Sequence, residues 1–299
     1  MNTVKNQFSI KDLENLSGIK AHTIRIWEKR YNLLTPERTD TNIRYYPLCN
    51  LQKLLNITLL YNNGYKISKI AEIPEDKIPL IAKEIVSNSG LKDQSINDFK
   101  LAMLNFDYVL FTNTYNNLLS TKTFQETFYD IFIPLLNELG LLWQTNTITP
   151  AHEHFITGLI KQKIILNTEK VQNIYPTNDS KVFVLYLPEN EIHEIGLLFL
   201  NYEIIKKGYQ SIYLGQTVPM NSLKDLLKYY SNITFISYFT VEPSIEKLDA
   251  YISNFDSDIN SNTNNELWIL GNQANKINKK TLPIKVKTFN SIIELTDKL

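Results

Sequence analysis

The sequence has one cysteine, no long apolar run and no recognisable export signal. The single thiol, Cys49, excludes an internal disulfide framework among the 299 residues and fits a reducing compartment. The start, MNTVKNQFSIKDLE, lacks the basic flank and apolar stretch of a secretory signal, and no window approaches the roughly 18 apolar residues that cross a bilayer. We therefore expect a soluble, cytoplasmic protein without membrane contact, in which Cys49 is a half-buried small residue near a helix start.

The formal net charge is zero, but basic and acidic residues are distributed unevenly along the chain. There are 31 basic and 31 acidic residues in total. Residues 1–70 contain eleven Lys or Arg and five Asp or Glu, a net charge of 11 − 5 = +6, so residues 71–299 carry −6. A basic module joined to an acidic body favours a polyanion as the partner of the first part only.

Hydrophobic periodicity divides the chain into three blocks. Residues 1–75 contain short helical patterns separated by turn residues, and residues 76–168 carry apolar residues at the spacing of an antiparallel helical bundle. The polar residues 168–180 are typical of a linker. Residues 178–299 alternate helical patterns with short apolar runs, as parallel strands with crossover helices do: KVFVLYL, SIYLG, ITFISYF, LWILG and VKTF.

The first block begins with two short helices and a tight turn. Ser9 is placed to cap the first helix, and Gly18 can supply the left-handed turn that ends it. The next helix, residues 21–30, presents basic and hydroxyl side chains on a face away from Ile24 and Trp27. This order of elements is typical of helix-turn-helix readers of the DNA major groove, although many surface helices share part of the pattern.

The continuation HTIRIWEKRYNLLTPERTDTNIRYYPL strengthens that interpretation. Residues 7–73 resemble the DNA-binding domain of the MerR family of transcription regulators at Ser9-Ile10, Gly18, Thr23-Ile24-Arg25, Trp27-Glu28, Pro36, Arg38, Arg44, Tyr46, Leu54, Ile57, Leu60 and Gly64. The resemblance implies a recognition helix at about 21–29 and a wing at about 35–46. The candidates for phosphate or base contacts on a double-stranded DNA operator are Thr23, Arg25, Arg30, Arg38, Arg44 and Tyr45.

Other residues of this block have simpler interpretations. Ile24, Trp27 and Tyr46 are expected in the core, and His22 on the surface. One such module makes few phosphate contacts, so a homo-oligomer, a dimer or tetramer on paired half-sites, is expected. Many relatives dimerise through a long following helix. Here that segment is interrupted by Pro79 and ends at Gly90, so assembly should use the later domains.

The stretch ENEIHEIG, residues 189–196, follows the first apolar run of the third block. A histidine at the end of a buried strand, His193, has a carboxylate in reach of its second ring nitrogen, which is how proteins fix the tautomer of a metal-binding imidazole. Gly196 would let a flat macrocycle or a phosphate tail approach the backbone. From these residues alone, an ordinary loop histidine remains an alternative.

The spacing Glu191-x-His193-x-x-Gly196 resembles the Asp-x-His-x-x-Gly loop of cobalamin-binding domains. The resemblance covers about residues 180–299. It implies a five-stranded flavodoxin-like sheet and His193 as lower axial ligand to cobalt. Ser237 matches the serine that lines the channel of the nucleotide tail, and Gly271 falls where a glycine pair is usual.

Two positions depart from the cobalamin pattern. Glu191 replaces the usual Asp, and its extra methylene should make the hydrogen bond to His193 form differently or be lost. Asn272 stands where a second glycine is common, and a side chain there would crowd the tail channel.

The helical block contains a second motif. Trp143 is followed after nine residues by Glu153 and His154, a spacing that resembles the bundle that caps the upper corrin face in light-responsive, cobalamin-dependent MerR-type repressors. In a lone helical block, Trp143 would instead be a core residue and His154 an ordinary residue of a helix face. Three of the four histidines fall in or beside the two motifs, which favours the functional interpretation.

These resemblances imply a multidomain protein and a function. The fold is expected to be an all-α winged helix-turn-helix, residues 1–75, then a four-helix bundle, residues 76–168, then an α/β flavodoxin-like (Rossmann-type) cobalamin-binding domain, residues 178–299. The resemblance implies a repressor rather than an enzyme. Adenosylcobalamin would bind between bundle and sheet and favour an oligomer, and light would break the cobalt–carbon bond and dissociate the assembly.

Two alternatives are kept. The first is a regulator of the same fold that no longer binds cobalamin and responds to another ligand or to a protein antirepressor, as the departures at Glu191 and Asn272 suggest. The second, from another class, is a corrinoid methyl-carrier or mutase subunit. That second alternative needs a catalytic partner domain, and the chain has a DNA-binding pattern in its place.

Overall fold

The computed structural model describes residues 7–85, 91–145, 147–173, 175–260, 264–279 and 282–299. The chain forms two compact units, residues 1–159 and 160–299. Within the described residues, no helix is long and apolar enough to cross a membrane.

The first unit begins with the helix-turn-helix and its wing. Helix α1 (Ile10–Ser17) is followed by α2 (Ala21–Tyr31), and strands β2 (Glu37–Arg38) and β3 (Arg44–Pro47) form the wing, with β1 (Gln7–Phe8) paired antiparallel to β3. The order of this small sheet is β1-β3-β2. Helices α3 (Leu48–Asn62) and α4 (Ile67–Ile70) complete the module. The predicted recognition helix and wing are both present.

Local signals fix the turn between α1 and α2. The Ser9 hydroxyl accepts the backbone N–H of Asp12, and the Asp12 carboxylate accepts the N–H of Ser9, which makes a reciprocal cap. Gly18 ends α1 with a φ of 76°, a conformation that glycine adopts without steric cost. Ile24, Trp27 and Tyr46 are buried, so the expectation that they are core residues is confirmed.

Two expectations for this region are wrong. Cys49 is exposed rather than half-buried. Pro79 does not interrupt a helix, because it lies in the first turn of α5 (Ile78–Ile85), where the missing N–H is not needed. Gly90 lies outside the described residues. The described part of α5 is still only eight residues long.

The helical block follows as expected from its periodicity. Helices α6 (Leu91–Asn105) and α7 (Tyr108–Leu119) precede α8 (Phe124–Thr127), which continues through a π-helical turn, Phe128–Phe132, into α9 (Ile133–Gln144). Helix α10 (Pro150–Gln172) comes next. Buried aromatic rings pack together inside the block: Phe99, Phe111, Phe128 and Phe132.

The second unit contains a parallel sheet. Its strands are β4 (Asn178–Tyr186), β5 (Tyr209–Gly215), β6 (Ile233–Tyr238), β7 (Glu266–Leu270) and β8 (Val286–Thr288), in the order β5-β4-β6-β7-β8. The intervening helices are α11 (Ile195–Lys206), α12 (Met220–Leu223), α13 (Ile245–Phe255) and α14 (Ile292–Thr296). The five predicted strands are confirmed. In such a sheet the carboxyl ends of the strands form the usual ligand-binding edge.

The predicted linker is too long. Helix α10 continues to Gln172 and β4 begins at Asn178, so only a few residues connect them. Thr168, which was assigned to the linker, is buried on the same face of α10 as Ile164, four residues earlier. The polar composition of this stretch concealed the helical spacing.

Inside the first unit, polar contacts join α1 to the helical block. The ammonium of Lys100 on α6 is buried, pairs with the carboxylate of Glu138 on α9 and donates to the carbonyl of Leu16 at 3.5 Å. The amide of Asn15 donates to the hydroxyl of Thr147 at 2.9 Å. The last turn of α1 is therefore bonded to Thr147, three residues after α9, and to Lys100 of α6, which pairs with Glu138 within α9.

Glu138→Gln should lower the stability of the first unit, because it leaves the buried ammonium of Lys100 without its carboxylate. We expect a loss of about 2 kcal/mol in the free energy of unfolding. Lys100→Met should cost less, since it removes the charge that needs a partner. The urea midpoint of the first unit measures both. Asp130→Asn, which breaks the more exposed pair with Lys122, serves as the control, and an unchanged midpoint for Glu138→Gln would contradict the prediction.

Candidate functional site

Helix α2 presents a basic face to solvent. Arg25, Lys29 and Arg30 are exposed, whereas Ile24 and Trp27 on the opposite face are buried. Thr23 is partly buried at the start of the helix. Exposed guanidinium groups on a helix of this kind can pair with phosphate oxygens or with the edges of guanine.

The wing arginines have partners within the module. Arg38 donates to the carbonyl and side-chain oxygens of Asn42, at 3.2 and 2.8 Å, across the turn between β2 and β3. Arg44 lies 3.5 Å from the carboxylate of Glu28 on α2. These contacts hold the turn of the wing in shape and tie Arg44 to α2.

Tyrosines of the wing are also paired. The hydroxyl of Tyr45 donates to Glu37 at 2.5 Å, and the hydroxyl of the buried Tyr46 donates to Glu28 at 2.8 Å. Burial and the Glu28 carboxylate both raise the pKa of Tyr46, so it remains a neutral donor. Glu28 thus accepts the hydroxyl of Tyr46 and pairs with the guanidinium of Arg44, and these contacts join α2 to β3. The six residues predicted to contact DNA lie on α2 and the wing, and their contacts with DNA remain predictions.

At the ligand-binding edge of the sheet, the loop after β4 carries His193 and Glu191. The Nδ1 atom of His193 lies 2.5 Å from Oε1 of Glu191, and the carboxylate is fully buried. The same oxygen accepts the backbone N–H groups of Ile192 and His193 at 2.9 and 3.0 Å. The other oxygen accepts three backbone N–H groups of the turn after β6, those of Thr240, Val241 and Glu242.

These bonds determine the charge of Glu191. Burial raises the pKa of the carboxyl group, but the hydrogen bonds from His193 and from the N–H groups of Val241 and Glu242 outweigh it and lower the pKa to about 2. The carboxylate is therefore ionised at neutral pH. The hydrogen bond between Glu191 and His193 is present, so the expectation that the extra methylene of glutamate could cause its loss is wrong. The longer side chain reaches both the imidazole and the turn after β6.

The arrangement suits a single axial metal ligand. With Nδ1 bonded to Glu191, Nε2 is the nitrogen that would bind a metal, and the side chain of His193 is 51% exposed. No group of three or more His, Cys, Asp or Glu side chains gathers around a metal position in the described ranges. A metal that arrives inside a macrocycle needs only one such ligand, so the residues present fit the cobalt of a corrinoid.

The other residues predicted for this edge have structural partners. The Ser237 hydroxyl is fully buried and donates to the carbonyl of Tyr186 at 2.9 Å. Gly271 has a φ of 99°, and a Cβ there would lie 2.3 Å from the carbonyl oxygen of Phe239. Asn272 is exposed. Gly196 lies in the first turn of α11 against the ring of Tyr238, and a Cβ on it would lie 2.6 Å from Cε2.

Sequence reasoning missed a polar network beside His193. The carboxylate of Glu194, which is almost fully buried, pairs with Lys161 of α10 and accepts the hydroxyl of Tyr213 at 2.6 Å. Burial and the neighbouring carboxylate raise the pKa of Tyr213. No local signal identified these residues, since they come from three separate parts of the chain. They bond the start of α11 to α10 and β5.

The motif residues of the first unit are accessible. Trp143, at the end of α9, is 55% exposed, so the alternative that it is a core residue is wrong. Glu153 lies in the first turn of α10 and His154 follows it, with 3.2 Å between Nδ1 of His154 and the Glu153 carboxylate. His152 is buried and stacks on Phe106 at 4.8 Å, and Nδ1 contacts the hydroxyl of Thr149, which indicates a structural role.

Comparisons with known proteins match both the helix-turn-helix module and the helical block that follows it. Residues 8–77 match the model of the MerR HTH family regulatory proteins, and residues 95–166 match the model of a B12 binding domain. The chain therefore carries a MerR-type helix-turn-helix followed by a helical B12-binding domain.

Two relatives from Myxococcus xanthus resemble most of the chain. The HTH-type transcriptional repressor CarH is 25% identical over 222 residues, which cover 72% of this chain and 73% of CarH. The HTH-type transcriptional repressor CarA is 23% identical over 218 residues, 72% of this chain and 70% of CarA. The chain is homologous to both.

A solved structure shares the fold of the later part. The monomethylamine corrinoid protein of Methanosarcina barkeri aligns with a TM-score of 0.56 at 11% identity, and the alignment covers 69% of this chain and 97% of that protein. This likeness supports the expected order of a helical region followed by a parallel α/β domain.

Glu191→Gln should remove a pH dependence from the stability of the second unit. The folded pKa of about 2 lies below the ordinary value of 4.5, so ionised Glu191 stabilises the fold above pH 4.5, and this stabilisation is lost as the pH falls from 4.5 toward 2. The wild-type protein should lose about 3 kcal/mol across that range through this group. Urea midpoints at several pH values, with the exposed Glu189→Gln as control, measure the difference. Parallel pH profiles for wild type and Glu191→Gln would contradict it.

Proposed function

We propose that this chain, in which a MerR-type helix-turn-helix precedes a B12-binding helical domain, is a DNA-binding transcription regulator controlled by cobalamin. The observation that carries the proposal is the pair formed by His193 and Glu191 at the ligand-binding edge of the sheet. A basic DNA-reading module and a metal-ready imidazole in one chain are what a cofactor-dependent regulator requires. The relatives CarH and CarA are repressors rather than enzymes, which supports a repressor without catalytic function.

The DNA-binding module would use α2 and the wing. Arg25 and Arg30 are exposed on α2, and Arg38 and Arg44 extend the cationic surface along the hairpin. Because one module offers few phosphate contacts, we propose that copies of the chain act together, as a dimer or tetramer, on paired half-sites of an operator. A protein antirepressor is a further proposed partner.

We propose His193 as the lower ligand of cobalt, with Glu191 fixing the imidazole and Gly196, Ser237 and Gly271 as further cofactor-binding residues. Trp143, Glu153 and His154 are proposed for the upper face of the corrin. Adenosylcobalamin, when bound, would supply a cobalt–carbon bond that light cleaves. The exposed indole of Trp143, together with the paired Glu153 carboxylate and His154 imidazole, offers apolar and polar groups to an organic upper ligand.

Control of the operator by the cofactor requires a minimum free-energy difference between the two cofactor states. To move an operator from mostly bound to mostly free, the two cofactor states must differ by about 5 kcal/mol in their preference for the assembled form, or by less where several modules bind together. This requirement supports regulation through oligomerisation.

A second candidate is a regulator of the same fold that responds to another ligand or to a protein. The contact of Tyr238 with Gly196 favours it, since the ring occupies space beside the glycine of the predicted cofactor loop. The methyl-carrier or mutase alternative is not favoured, because residues 8–77 match a DNA-binding family.

Arg25→Ala should weaken binding to duplex DNA and reduce its dependence on salt, because one cation on the recognition helix is lost. Titration of a labelled duplex by fluorescence anisotropy from about 50 to 200 mM salt should give a slope of log affinity against log salt that is smaller by about 1 per protomer. Lys170→Ala, which removes an exposed cation at the far end of α10, should leave the slope unchanged. Equal effects of the two variants would place the DNA surface elsewhere.

His193→Ala should abolish the absorption change that accompanies replacement of the lower base of cobalamin by imidazole, because the alanine side chain has no nitrogen that could bind cobalt. Absorption spectra of protein titrated with adenosylcobalamin in darkness measure it, and His22→Ala, a histidine of the DNA-binding module, is the control. Size-exclusion chromatography before and after illumination tests the oligomer. A wild-type spectrum identical to that of free cofactor would reject cobalamin control, and an unchanged elution volume would reject the light response alone.

A further inference from the structure

We propose that Tyr238 determines which corrinoids this chain accepts, by occupying the space beside Gly196 that a displaced nucleotide tail would need. The inference rests on the proposed cobalamin function and adds a preference for corrinoids without that tail. Tyr238 was not singled out by the sequence motifs.

The contact between Tyr238 and Gly196 is close. Gly196 lies in the first turn of α11, three residues after His193, and Tyr238 ends β6, the strand beside β4. A Cβ atom on Gly196 would lie 2.6 Å from Cε2, 2.9 Å from Cζ and 3.1 Å from Cδ2 of the ring. The ring therefore lies directly on the glycine backbone, and a side chain at position 196 would require the ring to shift.

The strand end that carries Tyr238 is fixed by packing and hydrogen bonds. The preceding residue, Ser237, is fully buried, and its hydroxyl is bonded to the carbonyl of Tyr186. The hydroxyl of Tyr186 is 3.0 Å from that of Tyr251. Burial raises the pKa of Tyr238, so the ring is present as the neutral phenol. In the described part of the chain, no hydrogen bond holds its hydroxyl, and packing alone keeps the ring on Gly196.

The chemistry of the cofactor makes this space important. When a protein imidazole binds the lower face of cobalt, the cofactor's own base leaves the metal but stays covalently attached to the corrin through its nucleotide linker. The displaced tail must then enter the protein on the same face as His193. The backbone of Gly196 offers room for such an approach only if the Tyr238 ring turns away. A corrinoid that lacks the nucleotide, such as cobinamide, makes no such demand.

Displacing the packed ring of Tyr238 costs free energy, and this cost lowers the affinity for a corrinoid that carries the nucleotide tail. Forcing extra volume into a packed site opposes binding, and we expect the wild-type chain to bind cobinamide on the order of tenfold more tightly than cobalamin. Removing the ring should cancel the difference. Tyr238→Ala should therefore strengthen cobalamin binding by on the order of tenfold and change cobinamide binding by less than about threefold.

The experiment is a pair of absorbance titrations of the full-length protein in darkness, one with aquocobalamin and one with diaquocobinamide. Tyr238→Phe keeps the ring and should behave as wild type, which separates the ring from its hydroxyl. Tyr229→Ala removes a tyrosine that is 78% exposed and should change neither affinity. Thermal unfolding of each variant checks that the second unit is folded. If the alanine variant is unstable, the affinities of wild type and Tyr238→Phe for the two corrinoids can still be compared.

The outcomes separate this inference from the proposed function. Equal affinities of wild type and Tyr238→Phe for the two corrinoids, or equal effects of Tyr238→Ala on both, would reject a role for Tyr238 while cobalamin binding stands. If neither corrinoid binds wild type or any variant, both the cobalamin function and the role of Tyr238 are rejected. Selective gain of cobalamin affinity in Tyr238→Ala supports both.

Discussion

The candidate cofactor site depends on one buried carboxylate. An ionised group out of contact with water is strongly destabilising unless hydrogen bonds compensate it, and Glu191 is compensated at both oxygens. One oxygen faces the imidazole of His193 and its own loop, and the other faces the turn after β6. Because these bonds come from two separate loops, the orientation of the imidazole is tied to the ends of β4 and β6. The sheet, rather than the loop alone, positions the proposed metal ligand.

The turn after β6, which donates hydrogen bonds to Glu191, is itself bonded to the segment that follows β7. The N–H of Gln273 donates to the carbonyl of Phe239, and the Gln273 side chain donates to the carbonyl of Val241, both at 3.0 Å. These bonds require the backbone after β7 to approach Phe239 closely, which is why a residue with a Cβ does not fit at Gly271. A glycine expected to accommodate a cofactor therefore also has a structural task, since it lets β7 support the turn that fixes Glu191.

Sequence patterns predicted the elements of this fold better than its contacts. Local chemistry was sufficient for the cap at Ser9, the left-handed Gly18 and the five apolar strands, because each depends on neighbouring residues. The pair of Glu191 and His193 was also predictable, since the two are adjacent in one loop. The contact of Tyr238 with Gly196 spans more than forty residues, and its cause is the pairing of β4 with β6, which no local spacing encodes. The exposure of Trp143 likewise depends on what packs around the end of α9, and an apolar residue on a helix does not reveal it.

The contacts inside the first unit limit how a signal from the helical block could control α1. Asn15 is bonded to Thr147, four residues after Trp143, and Lys100 is bonded to Leu16 at the end of α1. One neutral hydrogen bond contributes about 1 kcal/mol to stability and one with a charged donor about 2 kcal/mol. Loss of both would therefore change the free-energy difference between the two states by about 3 kcal/mol. A complete switch needs about 5 kcal/mol. A single copy of these contacts is therefore insufficient, but a similar change repeated in each protomer of a dimer or tetramer exceeds the requirement. This comparison gives an energetic reason for a regulator of this design to act as an oligomer.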